Sequence, residues 1–132
     1  MSNELSEFLY CSQLAPHLPI EVVGQIVGRA RVRNAKDGIT GLLVFDGLRF
    51  CQHVEGLRDP VRALMQKLEA DPRHVEFKML FESPLARRRY LRFDVGMAEV
   101  EDREALAEMQ SLSGAAAVER FLALRPNFDI AG

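Results

Sequence analysis

Apolar positions recur with two periods along this chain, and the switch between them predicts its elements. Glu7-Phe8-Leu9-Tyr10-Cys11 is a short aromatic strand, ended by Ser12-Gln13 and the loop of Pro16 and Pro19. From Ile20, the residues Val23, Ile26, Val27 and Ala30 fall at three- and four-residue spacing, the stripe of an amphipathic helix closing near Asn34. Leu42-Leu43-Val44-Phe45 is apolar on both faces, as a strand inside a sheet should be, and Asp46-Gly47 offers a two-residue hairpin turn. The return arm is Arg49 to Glu55. A period of two puts Phe50, Gln52 and Val54 on one face and Arg49, Cys51, His53 and Glu55 on the other. The Phe50/Val54 face is the apolar one, so Gln52 is predicted to point into the core. A buried amide without partners costs about 1–3 kcal/mol, so Gln52 needs a partner.

Asp59 then reads as a helix N-cap with Pro60 at the first helical position. Val61, Leu64, Met65 and Leu68 mark the stripe of this second helix, which ends around Asp71-Pro72. Phe77 to Phe81 is a fourth strand and Phe93 to Val100 a fifth, with a loop from Ser83 to Arg92 holding Arg87-Arg88-Arg89. Helices are expected at about Glu101 to Met109 and Ala115 to Leu124, each with an apolar stripe. The order β-α-β-β-α-β-β suits an α+β, ferredoxin-like sheet with two helices on one face and the C-terminal helices on the other. That second face is expected to need only partial cover, because Arg49, His53 and Glu55 point toward it. No repeat or linker divides the chain, so residues 1–100 are read as the sheet unit and 101–132 as a helical tail of the same domain.

Composition narrows the function classes. Seventeen basic and nineteen acidic residues give a net charge of −2, which offers no electrostatic case for nucleic acid or an anionic membrane. No apolar run approaches the ~18 residues of a membrane span, and the N-terminus lacks a signal peptide's basic start and apolar core. The expected compartment is the cytoplasm. Cys11 and Cys51 form no CxxC pair, and His17, His53 and His74 lack metal-ligand spacing. Both cysteines fall in predicted strands and read as small hydrophobes, so a disulfide and a metal site are both disfavoured. No Ser-His-Asp set, phosphate-cradling loop or carboxylate pair declares itself. The arginine run reads as a solvated loop, and His53 as a histidine satisfied on its own face.

The polar residues predicted to face inward are more informative. The first and third strands are neighbours in a ferredoxin-like sheet, which brings Tyr10 within hydrogen-bond reach of Gln52. Asn34, at the end of the first helix, approaches the same region. A phenol and two amides under two apolar helices suit a planar heteroaromatic ligand edged with carbonyls and ring nitrogens. From the residues alone, satisfaction of these groups by each other and by the backbone is the favoured reading.

The runs "FLYCSQ", "NAKDGITGLLVFDGLRFCQHVEG", "RALMQKLEADPRH" and "RFDVGMAEV" resemble, in order and spacing, the BLUF family of blue-light sensors using flavin. The likeness covers roughly residues 6 to 100. It implies a photoreceptor in which FAD inserts its ring between the two helices without a covalent bond. By motif, Tyr10 is then the redox-active tyrosine, Gln52 the switching amide beside the flavin N5/C4=O edge, and Asn34 a ligand of the C4=O/N3 edge. Ile26, Phe50 and Leu68 match positions that pack on the ring. Lys67, Asp71, Arg73 and His74 match the end of the second helix, where polar side chains meet the cofactor. The family commonly carries Trp-Ser-Met on the last strand. The match taken here is Val95-Gly96-Met97, with Met97 near Gln52, and the chain has no tryptophan.

The resemblance implies a photoswitch and not a turnover enzyme. With no effector module evident in the sequence, output is expected to pass to an unidentified downstream signalling protein, or through a homo-oligomer. A flavin-free interaction module on the same fold is the alternative from another class, and a small flavin oxidoreductase a third. The tail from Glu101 to Leu124 is the expected output element.

Overall fold

The computed structural model describes residues 4–97 and 103–131. Its elements are β1 (Leu5–Leu14), α1 (Glu21–Lys36), β2 (Thr40–Phe45), β3 (Arg49–Leu57), α2 (Arg58–Ala70), β4 (His74–Leu85), β5 (Phe93–Met97), α3 (Arg103–Met109) and α4 (Ala115–Leu124). A 3-10 turn (Arg125–Asn127) and β6 (Asp129–Ala131) follow. The strands form one sheet in the order β4-β1-β3-β2-β5-β6. β1 lies antiparallel between β3 and β4, β2 pairs antiparallel with β3, and β5 adds parallel to β2. This is the expected α+β, ferredoxin-like arrangement, extended at one edge by β5 and by the short β6, which the apolar pattern did not predict.

Local differences from the expectations have physical causes. β1 runs on through Ser12 and Gln13 because both pair with β3, opposite Phe50 and Arg49. β4 begins at His74 and takes Ser83 to Leu85 from the predicted loop, through pairing of Leu5 with Leu85 and of Glu7 with Ser83. Its alternating half-exposed side chains are those of an edge strand, which a search for apolar runs cuts short. The hairpin turn is shifted by one residue. Asp46 N–H donates to Arg49 O at 3.1 Å, and the Asp46 carboxylate accepts from the N–H groups of Leu48 and Arg49. Gly47 alone takes a positive φ, 100°, so Gly47-Leu48 make the turn. α2 starts at Arg58 with extended Leu57 before it, so Asp59 is no N-cap. Asp59 and Pro60 sit inside the first turn, where a carboxylate suits the helix dipole and a missing N–H costs nothing. The proposed extension of the fifth strand to Val100, and the helix start at Glu101, lie outside the described residues.

Gly41 carries a requirement of its own. With φ at 152°, a Cβ there would collide with His53 O, so only glycine lets β2 approach β3 this closely.

Two helices cover the front face. Val61, Leu64 and Leu68 of α2 pack on Phe8, Tyr10 and Val54, while Ile26 of α1 packs on Leu14, Leu43, Phe45 and Phe50. On the back face, Leu106 and Met109 of α3 and Val118 and Phe121 of α4 close over Leu9, Cys11, Leu42, Val44 and Cys51. The partial cover expected for this face is corrected by the structure. His53 and Glu55 are both fully buried, and the cover closes over them because the chain bonds both His53 ring nitrogens and one Glu55 carboxylate oxygen.

Candidate functional site

Sheet register builds the centre of the site. Tyr10 of β1 is the direct cross-strand partner of Gln52 of β3, Gln52 is opposite Leu43 of β2, and Leu43 is opposite Val95 of β5. These four side chains form one row on the front face, and all are buried. The Tyr10 hydroxyl donates to Gln52 Oε1 at 2.9 Å. Phe77 stacks on the Tyr10 ring, with centroids 4.8 Å apart and planes inclined by 20°. The β1–β4 pairing shifts register on both sides of Tyr10 and Cys11, and Glu76 in that stretch has a positive φ of 54°. Such bulges twist the edge strand and re-aim its side chains. Burial pushes the Tyr10 phenol far above its ordinary value, so it keeps its proton at neutral pH.

The predicted ring-packing and tail positions fall around this row. Ile26, Ala30 and Asn34 form the buried stripe of α1. Phe50 packs against Phe45 with the ring planes tilted by 37° and meets His74 edge-on, with centroids 4.7 and 4.9 Å away. Leu68 packs in the cluster that holds Tyr10. At the end of α2, Arg73 forks the Asp71 carboxylate, Nη2 to Oδ2 at 2.6 Å and Nε to Oδ1 at 3.0 Å. Burial alone would raise the Asp71 carboxyl, but its bonds from Arg73 outweigh this and hold it below the ordinary value. His74 is buried with Nδ1 2.9 Å from Ser12 Oγ, and burial lowers its pKa, so it is neutral at pH 7. Lys67 is exposed, on a cavity of about 590 Å³ whose other walls are Gly28, Arg29, Val32, Arg33, Lys36 and Asp37 at the end of α1. That cavity opens between the two helices and is ringed by four cationic side chains.

Met97 is not brought to Gln52. The parallel β2–β5 register opposes Met97 to Phe45, one step along from the Gln52 row, and Met97 is 46% exposed. Val95 fills the buried place in that row instead.

Three polar atoms of this set are buried without a hydrogen-bond partner: Gln52 Nε2, Asn34 Nδ2 and His74 Nε2. The other such atoms among the described residues, Asp46 Oδ2, Arg49 Nε and Glu55 Oε2, belong to the hairpin and the back face. Left as they are, groups of this kind cost about 1–3 kcal/mol each.

The protein family described as "Sensors of blue-light using FAD" matches this chain over residues 5–96. The chain belongs to the BLUF family. The blue light- and temperature-regulated antirepressor BluF of Escherichia coli (strain K12) is 28% identical over 103 residues, 74% of this chain and 26% of that protein. The photoactivated adenylate cyclase subunit beta of Euglena gracilis is 33% identical over 86 residues, 65% of this chain and 10% of that protein. The chain thus spans about a quarter or less of these two relatives. The dark-state structure of the BLUF protein BlrB superposes with a TM-score of 0.74 at 30% identity, covering 92% of this chain and 94% of that one.

BLUF proteins are flavin-binding blue-light sensors, and the donor set fits that cofactor class. A flavin's polar edge carries two carbonyls, a ring N–H and acceptor ring nitrogens. The amide groups of Gln52 and Asn34, which each carry an unpartnered N–H, complement such an edge. Apolar Ile26, Phe50 and Leu68 suit a ring, and the cationic cavity suits a phosphate-bearing tail.

The polar residues of the back face were less legible. His53 Nε2 lies 2.8 Å from Glu7 Oε1, and His53 Nδ1 lies 2.8 Å from the Tyr90 hydroxyl. Arg89 Nη1 donates to Glu7 Oε1 at 2.7 Å, while the backbone N–H groups of Arg89 and Tyr90 donate to Glu55 Oε1, each at 2.8 Å. Burial would raise the Glu7 carboxyl, but its bond to His53 and the Arg89 charge hold it below the ordinary value. Phe121 of α4 meets the His53 ring edge-on, and Arg125 sits over the Tyr90 ring at 4.5 Å. The arginine run is therefore partly structural: Arg88 and Arg89 pin the loop to the sheet, Arg88 through Thr40 Oγ1 at 2.9 Å. Glu and His alternating with apolar residues in Glu7-Phe8 and His53-Val54-Glu55 were the only sequence signal for this cluster.

Proposed function

We propose that this chain is a blue-light receptor that holds FAD without a covalent bond between α1 and α2, and that Tyr10 and Gln52 are its switching pair. The observation carrying this reading is the Tyr10–Gln52 hydrogen bond, whose amide keeps an unpartnered N–H in a buried site. Asn34 and Gln52 would hold the polar edge of the ring. Ile26, Phe50 and Leu68 would pack on its faces. Asp71, Arg73 and His74, with Lys67, would border the cofactor at the end of α2.

When bound, a flavin absorbs blue light and becomes a strong oxidant. Tyr10 is the phenol poised to respond, since it is buried, protonated and bonded directly to an amide. Gln52 both accepts and donates, so it can take the Tyr10 proton at Oε1 while its nitrogen serves the other side. Rotation or tautomerisation of Gln52 then leaves a changed hydrogen-bond pattern with no net reaction. The output is a population shift between two packings, as in other ligand and charge switches. A flavin-free interaction module would bury the same three atoms with nothing to satisfy them.

The tail, residues 101–132, is read as the output element and a separate cytoplasmic signalling protein, or a second copy, as the receiver. Two connections reach it from the switch. β5 carries Val95 in the row of Gln52 and precedes α3 in the chain, and His53, next to Gln52 on β3, touches Tyr90 and Phe121.

Purified chain should carry about one flavin, released by denaturation and identified as FAD or FMN by chromatography. Blue light should shift its bands to the red. Asn34→Ala should weaken flavin binding by about tenfold, the weight of one good hydrogen bond. Chain that neither carries flavin nor takes it up on refolding with FAD sinks the reading. For the tail, amide exchange in dark and light should differ in α3 and α4; changes confined to residues around the flavin would remove the tail from the route.

A further inference from the structure

We propose that Cys11 and Cys51 are a site of reversible oxidation, a dithiol that closes to a disulfide joining β1 to β3 through the back face. The two are direct cross-strand partners, both are free thiols, and their Sγ atoms are 3.2 Å apart. Opposed side chains on antiparallel neighbours have Cβ atoms about 4.5–5.5 Å apart, a range that begins where the roughly 3.5–4.5 Å of a disulfide ends, so closure draws the two strands slightly together. Here both side chains already point at each other, so closure asks about 1 Å of movement at sulfur and no new backbone path. The spacing of the two residues along the chain conceals this pair, and only the β1–β3 register creates it.

The site lies directly behind the Tyr10–Gln52 pair, which is the preceding rung of the same ladder. It is also the floor on which α3 and α4 rest, since Leu106, Met109 and Phe121 share its cluster. Burial and the neighbouring thiol hold Cys51 well above its ordinary pKa, so thiolate is scarce while the tail is docked. Oxidation in the folded chain therefore waits on opening of α3 and α4. The bond, once formed, ties the two strands that carry the switch.

With hydrogen peroxide as oxidant the step balances. One cysteine, as thiolate, attacks a peroxide oxygen and becomes a sulfenic acid while hydroxide leaves, taking up a proton to become water. The second thiol then attacks that sulfur, losing its proton and expelling the oxygen as a second water. Two thiols and one peroxide give one disulfide and two waters. A dithiol reductant reverses the change by exchange.

The test is independent of the flavin reading, because it reads mass and thiol content rather than colour. The full chain is unfolded in urea and refolded in a glutathione redox buffer, so that burial does not limit access. The expected product is a natively folded chain about 2 Da lighter than the reduced one, with neither cysteine alkylated after denaturation, and restored by dithiothreitol. Cys11→Ser and Cys51→Ser should each abolish the product. Folded chain treated with peroxide should form the same species, and about tenfold faster in Phe121→Ala, which loosens the cover. Two alkylatable thiols in all refolded protein, or a disulfide found only in chain lacking native circular dichroism, would overturn the proposal. Peroxide rates unmoved by Phe121→Ala would overturn the gating by the tail.

Discussion

Replacing Gln52 by Leu and Tyr10 by Phe should have opposite rankings with and without flavin. In the flavin-free chain, Gln52 makes one buried hydrogen bond through Oε1 and leaves Nε2 unpartnered. Gln52→Leu loses a bond of about 1 kcal/mol and strands the Tyr10 hydroxyl, but it also removes a buried N–H costing about 1–3 kcal/mol. These nearly cancel, so the net effect should be within about 1 kcal/mol. Tyr10→Phe loses the same bond and leaves the Gln52 amide with neither end satisfied, a cost of about 2 kcal/mol. With flavin bound, Gln52 gains a partner for its nitrogen, and Gln52→Leu becomes the costlier change by about 1–2 kcal/mol. Urea unfolding followed by circular dichroism resolves this, since m is about 1–3 kcal/mol per molar for small domains. Tyr10→Phe should move the flavin-free midpoint down by roughly 1 M, and Gln52→Leu should scarcely move it. The same ranking in both states would refute the claim that the Gln52 nitrogen is reserved for the cofactor. A full red shift in either variant would move the switch to other residues.

Other substitutions probe the scaffold. Burial lowers the folded pKa of His74 below an unfolded value of about 6.5. Its contribution is therefore complete above that pH and is lost as pH falls through it toward the folded value. A pH series of urea midpoints should begin to fall as pH drops below about 6.5 in the parent and flatten in His74→Asn; an unchanged slope would assign the loss elsewhere. Gly41→Ala should destabilise the fold by about 3 kcal/mol or more, because the new Cβ meets His53 O and the backbone φ is unfavourable. A midpoint within about 0.3 M of the parent would mean that β2 can shift away at little cost. His53→Leu strands the Tyr90 hydroxyl and leaves Glu7 with Arg89 alone, so it should cost roughly 3 kcal/mol. A cost under about 1 kcal/mol would show that these bonds are replaced by water.

Much of this molecule was determined by its sequence alone. The period-two pattern placed Gln52 on the apolar face of its strand, and the three- and four-residue spacings located α1, α2 and α4, because one buried face imposes those periods whatever the partner. The motif runs around Asn34 and Gln52 carried the family, since a cofactor's polar edge demands particular residues at particular places. Boundaries were less legible. β4 is an edge strand with one solvated face, β6 is three residues long, and the hairpin turn moved by one because the Asp46 side chain captured two N–H groups. Tertiary register decided the rest. It set Val95 rather than Met97 in the row of Gln52, since parallel pairing of β2 and β5 depends on contacts between distant segments. It also buried His53 and Glu55, on a face whose pattern suggested only partial cover, together with Glu7, by bringing Arg89 and Tyr90 across to bond them. The opposition of Cys11 to Cys51 is the clearest case. Forty residues apart in the chain, they meet at 3.2 Å because β1 and β3 align on the Tyr10–Gln52 rung, a fact of strand pairing that no local pattern records.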